Sequence, residues 1–400
     1  MRILIHSDEY YPTCAACAYR IKSFADYFAE SGNEVTVIAS SVNKENGEMK
    51  YCKEKILFSP TVKMKKKTTV MRMLNNLSFA LTSVFTSLKA GKADVVITTS
   101  PPPLVSISGW LIAKLKGAKL VYDVRDIWPD VALEMGSFNE NSVFCKVFEF
   151  IAGFMYKKAD IITTVSPGKV EKIKQKLPEN MRGKVMLVPN GFDSAILESD
   201  TDSEIIEKYR LNSGFKCVYI GNIGLAQGLS SVLDIAAQTK HKDAEFLLFG
   251  NGAEKEFLEN NAKERKLDNV KFCGSVPHEK VYTLLTNSKL CYIPLKSSKM
   301  QDSIPTKIYE ALGVGCPILL AAEGDSRSIL EESGMGKCVS PDNSAEAVKA
   351  FDEIIDGYDD LIKNKAEAME LMKDKYSRQQ AAAEFERILK DLTGLERKKW

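Results

Sequence analysis

The sequence predicts an α/β protein made of two doubly wound, parallel-sheet domains. Three observations carry that expectation. Short continuous apolar runs alternate with amphipathic stretches, the alternation starts afresh beyond residue 190, and the chain has 400 residues. A single core stops growing near about 250–300 residues. Parallel strands are covered by helices on both faces, so they read as unbroken hydrophobic segments rather than as alternating ones.

In chain order, the first half offers strands at RILIH (2–6), EVTVIA (34–39), DVVITT (94–99), KLVYDV (119–124), DIITTV (160–165) and KVMLVP (184–189). Periodic helical stretches lie between them, such as YRIKSFADYFAESG (19–32), which ends at a glycine in the usual position after a helix. The second half restarts with CVYIGN (217–222), EFLLFG (245–250), VKFCG (270–274), KLCYIPL (289–295) and CPILLAA (316–322). The seam falls at PNGFD (189–193), a Pro-Asn-Gly turn followed by the polar run SDTDSE (199–204). The last helix, YSRQQAAAEFERILKDL (376–392), is amphipathic, and its pattern suits either domain. Two such domains facing each other across a cleft put ligands at the carboxyl ends of both sets of strands.

Hydrophobic residues at 44% and charged residues at 27% exclude a disordered, collagenous or disulfide-scaffold chain. A formal net charge of +2 gives no general electrostatic reason to bind nucleic acid. Nine cysteines are an odd number, and MRILIHSDEY has no signal-peptide pattern, so a reducing, cytoplasmic setting is expected. Cys14 and Cys17 form one C-x2-C without a second pair, and His6, His241 and His278 are isolated in sequence. Packed or surface thiols are expected there, and no metal site.

Residues 63–92 break the βα rhythm, with a lysine cluster that includes Lys65, Lys66 and Lys67 ahead of a mostly apolar stretch. Arg72, Asn75, Asn76 and several hydroxyl residues argue against a membrane span, which needs roughly 20 predominantly apolar residues. A basic, apolar helix of this kind suits the headgroup region of an anionic bilayer, with Arg72, Phe79 and Phe85 among the contacts. A helix packed on the sheet behind a solvated lysine run fits the pattern equally well.

Several loops after strands carry chemistry. Arg125, Asp126 and Trp128 of RDIWPD follow a strand at its carboxyl end, where a doubly wound sheet presents side chains to ligand. A surface ion pair and an apolar anchor are the plainer reading of those residues. In DEYYPTCAACAYR, Ala15 and Ala16 lead into a helix, and Tyr11 and Arg20 complete the candidates of that first loop. The loop lacks a dinucleotide fingerprint, and no P-loop motif occurs in the chain. GNIGLAQG, with Asn222, Gly224 and Gln227, and GNGAEKE, with Gly250, are glycine-bearing turns that let backbone approach a ligand. In QDSIPTKIYEALGVGCPIL, Pro305 suits a first helical turn, Ser303 and Thr306 suit its cap, and Lys307 stands where acids are preferred. A misplaced cation points to an anion nearby. Glu310 lies one turn on, where its carboxylate can accept hydrogen bonds from two vicinal hydroxyls, as on a ribose.

PTKIYEALGVGCPIL resembles the nucleotide-sugar motif of retaining glycosyltransferases with the GT-B fold, in the large family marked by acidic residues eight positions apart. DEYYP, TTSPPP, YDVRDIWPD, ADIITTVSPG, VPNGFD, YIGNIGLAQG and FLLFGNGAEKE match it in order, so the likeness spans essentially the whole chain. SPPP, VRDIWPD and GNIGLAQG are similar to the branch that builds bacterial capsule, O-antigen and exopolysaccharide units on lipid carriers. The resemblance implies an acceptor domain at 1–192, to which 376–400 returns, and a nucleotide-sugar domain at 193–375. It implies Glu310 on the ribose hydroxyls, Thr306 and Lys307 near the diphosphate, and Asp302, Ser303 and Ile304 at the sugar. The base would lie near Val276, and Arg125, Asp126, Lys307 and Glu310 would carry catalysis.

The chain departs from the family pattern at several places, among them Asp302, where the family more often has Glu. An Arg and a Lys of the GNIGLAQG loop are replaced by Asn222 and Gln227, and a Gly-Gly pair by Ala15-Ala16. Arg125-Asp126 stands where many members place a His that meets the primary hydroxyl of the sugar, which implies a 6-deoxy donor sugar. The expected activity is metal-independent transfer, without cofactor, from a UDP-sugar to a polyprenyl-diphosphate saccharide at the inner face of the cytoplasmic membrane. A sugar-nucleotide epimerase of the same architecture and a non-catalytic nucleotide-sugar-binding partner remain as alternatives.

Overall fold

The computed structural model describes residues 1–13, 16–46, 52–63, 69–136 and 139–394. Ala15, Lys65, Lys66 and Lys67 lie outside the described residues. The chain divides into two units, residues 1–190 with the C-terminal helix, and residues 191–377.

The first unit holds β1 (Arg2–His6), β2 (Glu34–Ser40), β3 (Lys55–Ser59), β4 (Val95–Ser100), β5 (Lys119–Val124), β6 (Ile161–Thr164) and β7 (Val185–Leu187). All are parallel, in the order β3-β2-β1-β4-β5-β6-β7. Its helices are α1 (Ala16–Glu30), α2 (Thr69–Ser87), α3 (Pro103–Lys116), α4 (Asp130–Glu134), α5 (Val143–Lys158) and α6 (Pro167–Gln175). The order reverses between β1 and β4, which is the switch point where such sheets bind ligands. β3 went unpredicted because KILFS is a short edge strand with one buried residue, its three apolar residues only half-buried between lysines and Ser59-Pro60.

The second unit holds β8 (Lys216–Ile220), β9 (Glu245–Phe249), β10 (Val270–Gly274), β11 (Leu290–Pro294), β12 (Ile318–Ala321) and β13 (Gly336–Val339). They form a parallel sheet in the order β10-β9-β8-β11-β12-β13, with the switch point between β8 and β11. Its helices are α7 (Ser203–Tyr209), α8 (Ser230–Gln238), α9 (Lys255–Glu264), α10 (Val281–Thr286), α11 (Lys307–Gly313), α12 (Asp325–Ser333), α13 (Ser344–Asp356), α14 (Tyr358–Leu361) and α15 (Lys365–Asp374).

The last helix, α16 (Arg378–Thr393), packs in the first unit. Phe385 meets Phe24 and Phe28 of α1 edge-on at 5.2 and 5.7 Å, and Ala381, Ala382, Ile388 and Leu389 join the same core. Edge-to-face pairs at this spacing are favoured by the ring quadrupoles.

Candidate functional site

In the second unit the predicted donor residues gather at the carboxyl ends of β8, β9, β10 and β11. Gly221, after β8, has φ +141°, and a Cβ there would lie 2.7 Å from Lys307 Cε. Its missing side chain is therefore the space through which Lys307 passes. Lys307 Nζ lies 3.7 Å from the centroid of the Tyr219 ring, a cation–π contact. The Tyr219 hydroxyl donates to the Asn222 carbonyl and so fixes the turn beneath that cation. Burial lowers the Lys307 ammonium to about 8, while Cys291 and Glu310 favour its charged form. A cation removed from water and poised near neutrality gains strongly from an anion brought to it.

Two glycine loops meet backbone to backbone. A Cβ on Gly250, at φ +147°, would fall 1.7 Å from the Gly221 carbonyl oxygen, so no other residue fits. Gly221 N–H donates to the Phe249 carbonyl and Ile223 N–H to the Asn251 carbonyl, at 2.8 and 2.9 Å. Gly224 is buried in extended backbone, and the Asn222 amide donates to Gln227 Oε1 at 3.4 Å across it. Asn222 and Gln227, which the resemblance sets where other members carry cations, thus bond to each other. Lys296 N–H, after β11, donates to the Ala226 carbonyl at 2.9 Å and ties this loop to the next.

Glu310 projects from α11 with its side chain 16% exposed, and its Oε1 lies 3.5 Å from His278 Nε2. His278 follows β10, just past Val276, and was isolated in the linear sequence. Only the fold sets it against Glu310, so no spacing rule could have found it. Asp302 is buried and Ser303 and Ile304 are half-buried. Their segment is pinned to α12: Ser326 Oγ donates to the Ser303 carbonyl at 2.5 Å and Asp325 N–H to the Gln301 carbonyl at 2.8 Å.

The cap of α11 corrects an expectation. The helix starts at Lys307, with Pro305 outside it. Thr306 has φ −58° and ψ −25° and makes no side-chain cap. A cap hydroxyl reaches the first amides from extended backbone, and Thr306 is already helical.

In the first unit, Arg125 is held by the strand next to its own. Its Nε donates to Thr99 Oγ1 at 3.0 Å and its Nη2 to the Pro101 carbonyl at 2.8 Å. Asp126 is half-buried beside it, and the Trp128 ring stands edge-on to Phe148 at 5.4 Å. Tyr11 and Ala16 flank the start of α1, with Lys22 Nζ 6.0 Å from the Tyr11 ring centroid. Asp8, past the end of β1, was missed. Burial raises its carboxyl to about 7, helped by Glu9 and opposed by Arg125.

Two predicted contacts are overturned. Arg20 is 4% exposed and cannot meet an acceptor. It donates to Asp123 Oδ1 at 3.0 Å, to the Val188 carbonyl at 2.8 Å and to the Pro189 carbonyl at 2.9 Å, so it ties α1 to β5 and to the end of the unit. Phe79 is fully buried and stacks on His6 at 5.1 Å. It lies on the inner face of α2, away from the exposed Phe85, whereas Arg72 falls near that same face and is exposed one turn from the helix start.

The comparisons with known proteins agree with this architecture. Residues 16–191 match the glycosyl transferase 4-like domain, and residues 202–391 match glycosyl transferases group 1. WcaI of Escherichia coli (strain K12), named as a colanic acid biosynthesis glycosyl transferase, is 26% identical over 376 residues, covering 88% of this chain and 91% of its own. Among solved structures, sucrose-phosphate synthase from Thermosynechococcus elongatus superposes with a TM-score of 0.81 at 14% identity, covering 98% of this chain and 99% of its own. HepE of Anabaena, solved with UDP and glucose, gives a TM-score of 0.75 at 16% identity, covering 98% and 100%. The two parallel-sheet, Rossmann-like units are those of a GT-B enzyme. The chain belongs to the glycosyltransferases that pair a 4-like domain with a group 1 domain.

Proposed function

We propose that the protein transfers a sugar, with retention and without a metal, from a UDP-sugar to a lipid-diphosphate-linked saccharide during assembly of a bacterial surface polysaccharide. One observation carries the reading: Lys307 and Glu310 stand one helical turn apart at the switch point of the second sheet, a desolvated cation beside an acceptor-rich carboxylate. The cation suits a diphosphate and the carboxylate suits the paired hydroxyls of a ribose. The name of WcaI, for colanic acid biosynthesis, and the UDP in the HepE structure support the substrate class.

In this reading catalysis is electrostatic. The departing diphosphate gains charge, Lys307 stabilises it, and no protein nucleophile is required. Its oxygens take the proton of the attacking hydroxyl on the same face of the sugar. Asn222 and Gln227 are neutral, so Lys307 carries the charge that other members share among several cations. Arg125 and Asp126, in place of a His, suit a 6-deoxyhexose or N-acetyl-6-deoxyhexosamine. The protein acts from the cytoplasmic side as a peripheral membrane enzyme, with the exposed side of α2 at the lipid.

A screen of nucleotide sugars by thermal shift tests the donor, because a ligand that binds the native state raises its apparent stability. Stabilisation by UDP and UDP-6-deoxy sugars, lost in Glu310→Ala, is expected. Transfer in EDTA with the donor's anomeric configuration kept in the product follows. Turnover of UDP-glucose with none of any 6-deoxy donor would remove the sugar assignment.

A further inference from the structure

Helix α2 is inside out. A helix lying on a soluble protein turns its apolar side to the core and its polar side to water. Here the covered side carries Asn75, Ser83 and Ser87 with Phe79. Asn75 Nδ2 donates to the Val62 carbonyl at 2.7 Å, and Ser83 Oγ lies 2.9 Å from His6 Nε2. The outer side carries Val70, Leu77, Leu81 and Phe85, from 44% to 72% exposed, at intervals of seven, four and four residues, which is one stripe.

The stripe continues on neighbouring helices. Residues of α2, α3 and α5 share one core cluster on the same side of the sheet. Trp110 of α3 meets Phe154 of α5 edge-on at 5.0 Å. On α5, Val143, Val147 and Phe150 recur at i, i+4 and i+7, with Val143 and Phe150 about three-quarters exposed. Eighteen large hydrophobic side chains are exposed among the described residues, and thirteen of them lie on α2, the turn 88–90, α3 and α5. Such concentration marks a surface that something covers.

Charge identifies the cover. Residues 69–90, 103–116 and 143–158 hold seven basic side chains and one acidic one, Glu149, in a chain whose net charge is +2. Lys114 and Lys158 lie over the Trp110 and Phe154 rings, at 5.5 and 5.9 Å, the pairing of aromatic body and cationic tip found at lipid headgroups. A second copy would set this basic face against itself. No helix among the described residues is long and apolar enough to cross a membrane.

We infer that the α2–α3–α5 face docks on an anionic lipid bilayer, with α5 entering the headgroup layer alongside α2. This deepens the peripheral-membrane reading above and brings in helices that the sequence did not single out. The full-length protein is mixed with vesicles of phosphatidylglycerol and phosphatidylcholine, or of phosphatidylcholine alone, and sedimented. Binding to the anionic vesicles, weakened at least tenfold without the anionic lipid and about tenfold by Val147→Ser with Phe150→Ser, is expected. Both changes are on exposed positions, and circular dichroism and UDP affinity check that the fold and donor site persist. Equal binding of parent and double variant overturns the inference, as does absence of binding by the parent, or a stable dimer in light scattering that the double variant abolishes. Loss of vesicle binding alone leaves the donor-site reading intact, whereas loss of UDP binding by the parent removes that reading and leaves the docking result standing.

Discussion

The ammonium of Lys307 makes UDP binding depend on pH in a way that can be calculated. Burial lowers this group to about 8 from 10.5. It is therefore cationic below that value in the free protein and neutral above it. At pH 7 about nine-tenths of molecules carry the charge, and at pH 9 about one-tenth. If the diphosphate needs the cation, the apparent Kd for UDP rises about tenfold across that interval, ~1.4 kcal/mol. Calorimetric titration at pH 7, 8 and 9 measures it, with proton uptake on binding near pH 8 as a second sign. Lys307→Arg is the control, since a guanidinium stays charged throughout and the uracil titrates equally in both proteins. A parent affinity that is flat from pH 7 to 9, or an arginine variant that falls in parallel, would refute the assignment.

Other outcomes follow from the same geometry. Glu310→Ala should weaken UDP binding by roughly 10- to 100-fold, the loss of charge-assisted hydrogen bonds to two hydroxyls, without lowering Tm much. Gly250→Ala, which sets a Cβ against the Gly221 carbonyl, should destabilise the second unit by about 3 kcal/mol or more in urea denaturation; a neutral result would mean that the two loops part easily. Arg20→Met leaves Asp123 buried without its cation and should cost about 3–5 kcal/mol; a change below 1 kcal/mol contradicts the structural role given to that pair. Asp8 holds a proton up to about pH 7 when folded and only to about 3.8 when unfolded. Stability from this group is present at acid pH and falls as pH rises through that window, so Asp8→Asn should raise stability at pH 8 by up to about 4 kcal/mol and little at pH 4.

The strands and the order of motifs were legible because a buried parallel strand leaves an unbroken apolar run. β3 and β13 were not legible, since edge strands such as KILFS and GKCV are only partly covered. Lys307 and Glu310 stood out by a charge against the helix preference and by their spacing on one face. His278 did not, because its meeting with Glu310 depends on the segments after β10 and β11, strands that lie on either side of β9 and β8 in one sheet. Arg20 was misassigned because a charge in a loop-to-helix segment reads as exposed, whereas Asp123 and three polar groups near residue 190 enclose it. The composition of α2 suggested lipid contact, and the period of its covered residues removed Phe79 from that surface. The apolar side of α5 was hidden in a segment that reads like any amphipathic helix, and only its exposure in the fold distinguishes it.

The Lys307–Glu310 site is proposed to carry out acceptor-dependent transfer. The most direct measurement is UDP release from a UDP-sugar with and without a polyprenyl-diphosphate saccharide, in parent and Glu310→Ala proteins, with the product's anomeric configuration read by NMR. Release by the parent only when the acceptor is present, with retention, and none by the variant is the predicted result. Conversion of the donor alone to an epimer, or UDP-sugar binding with no transfer to any lipid-linked acceptor, would contradict it.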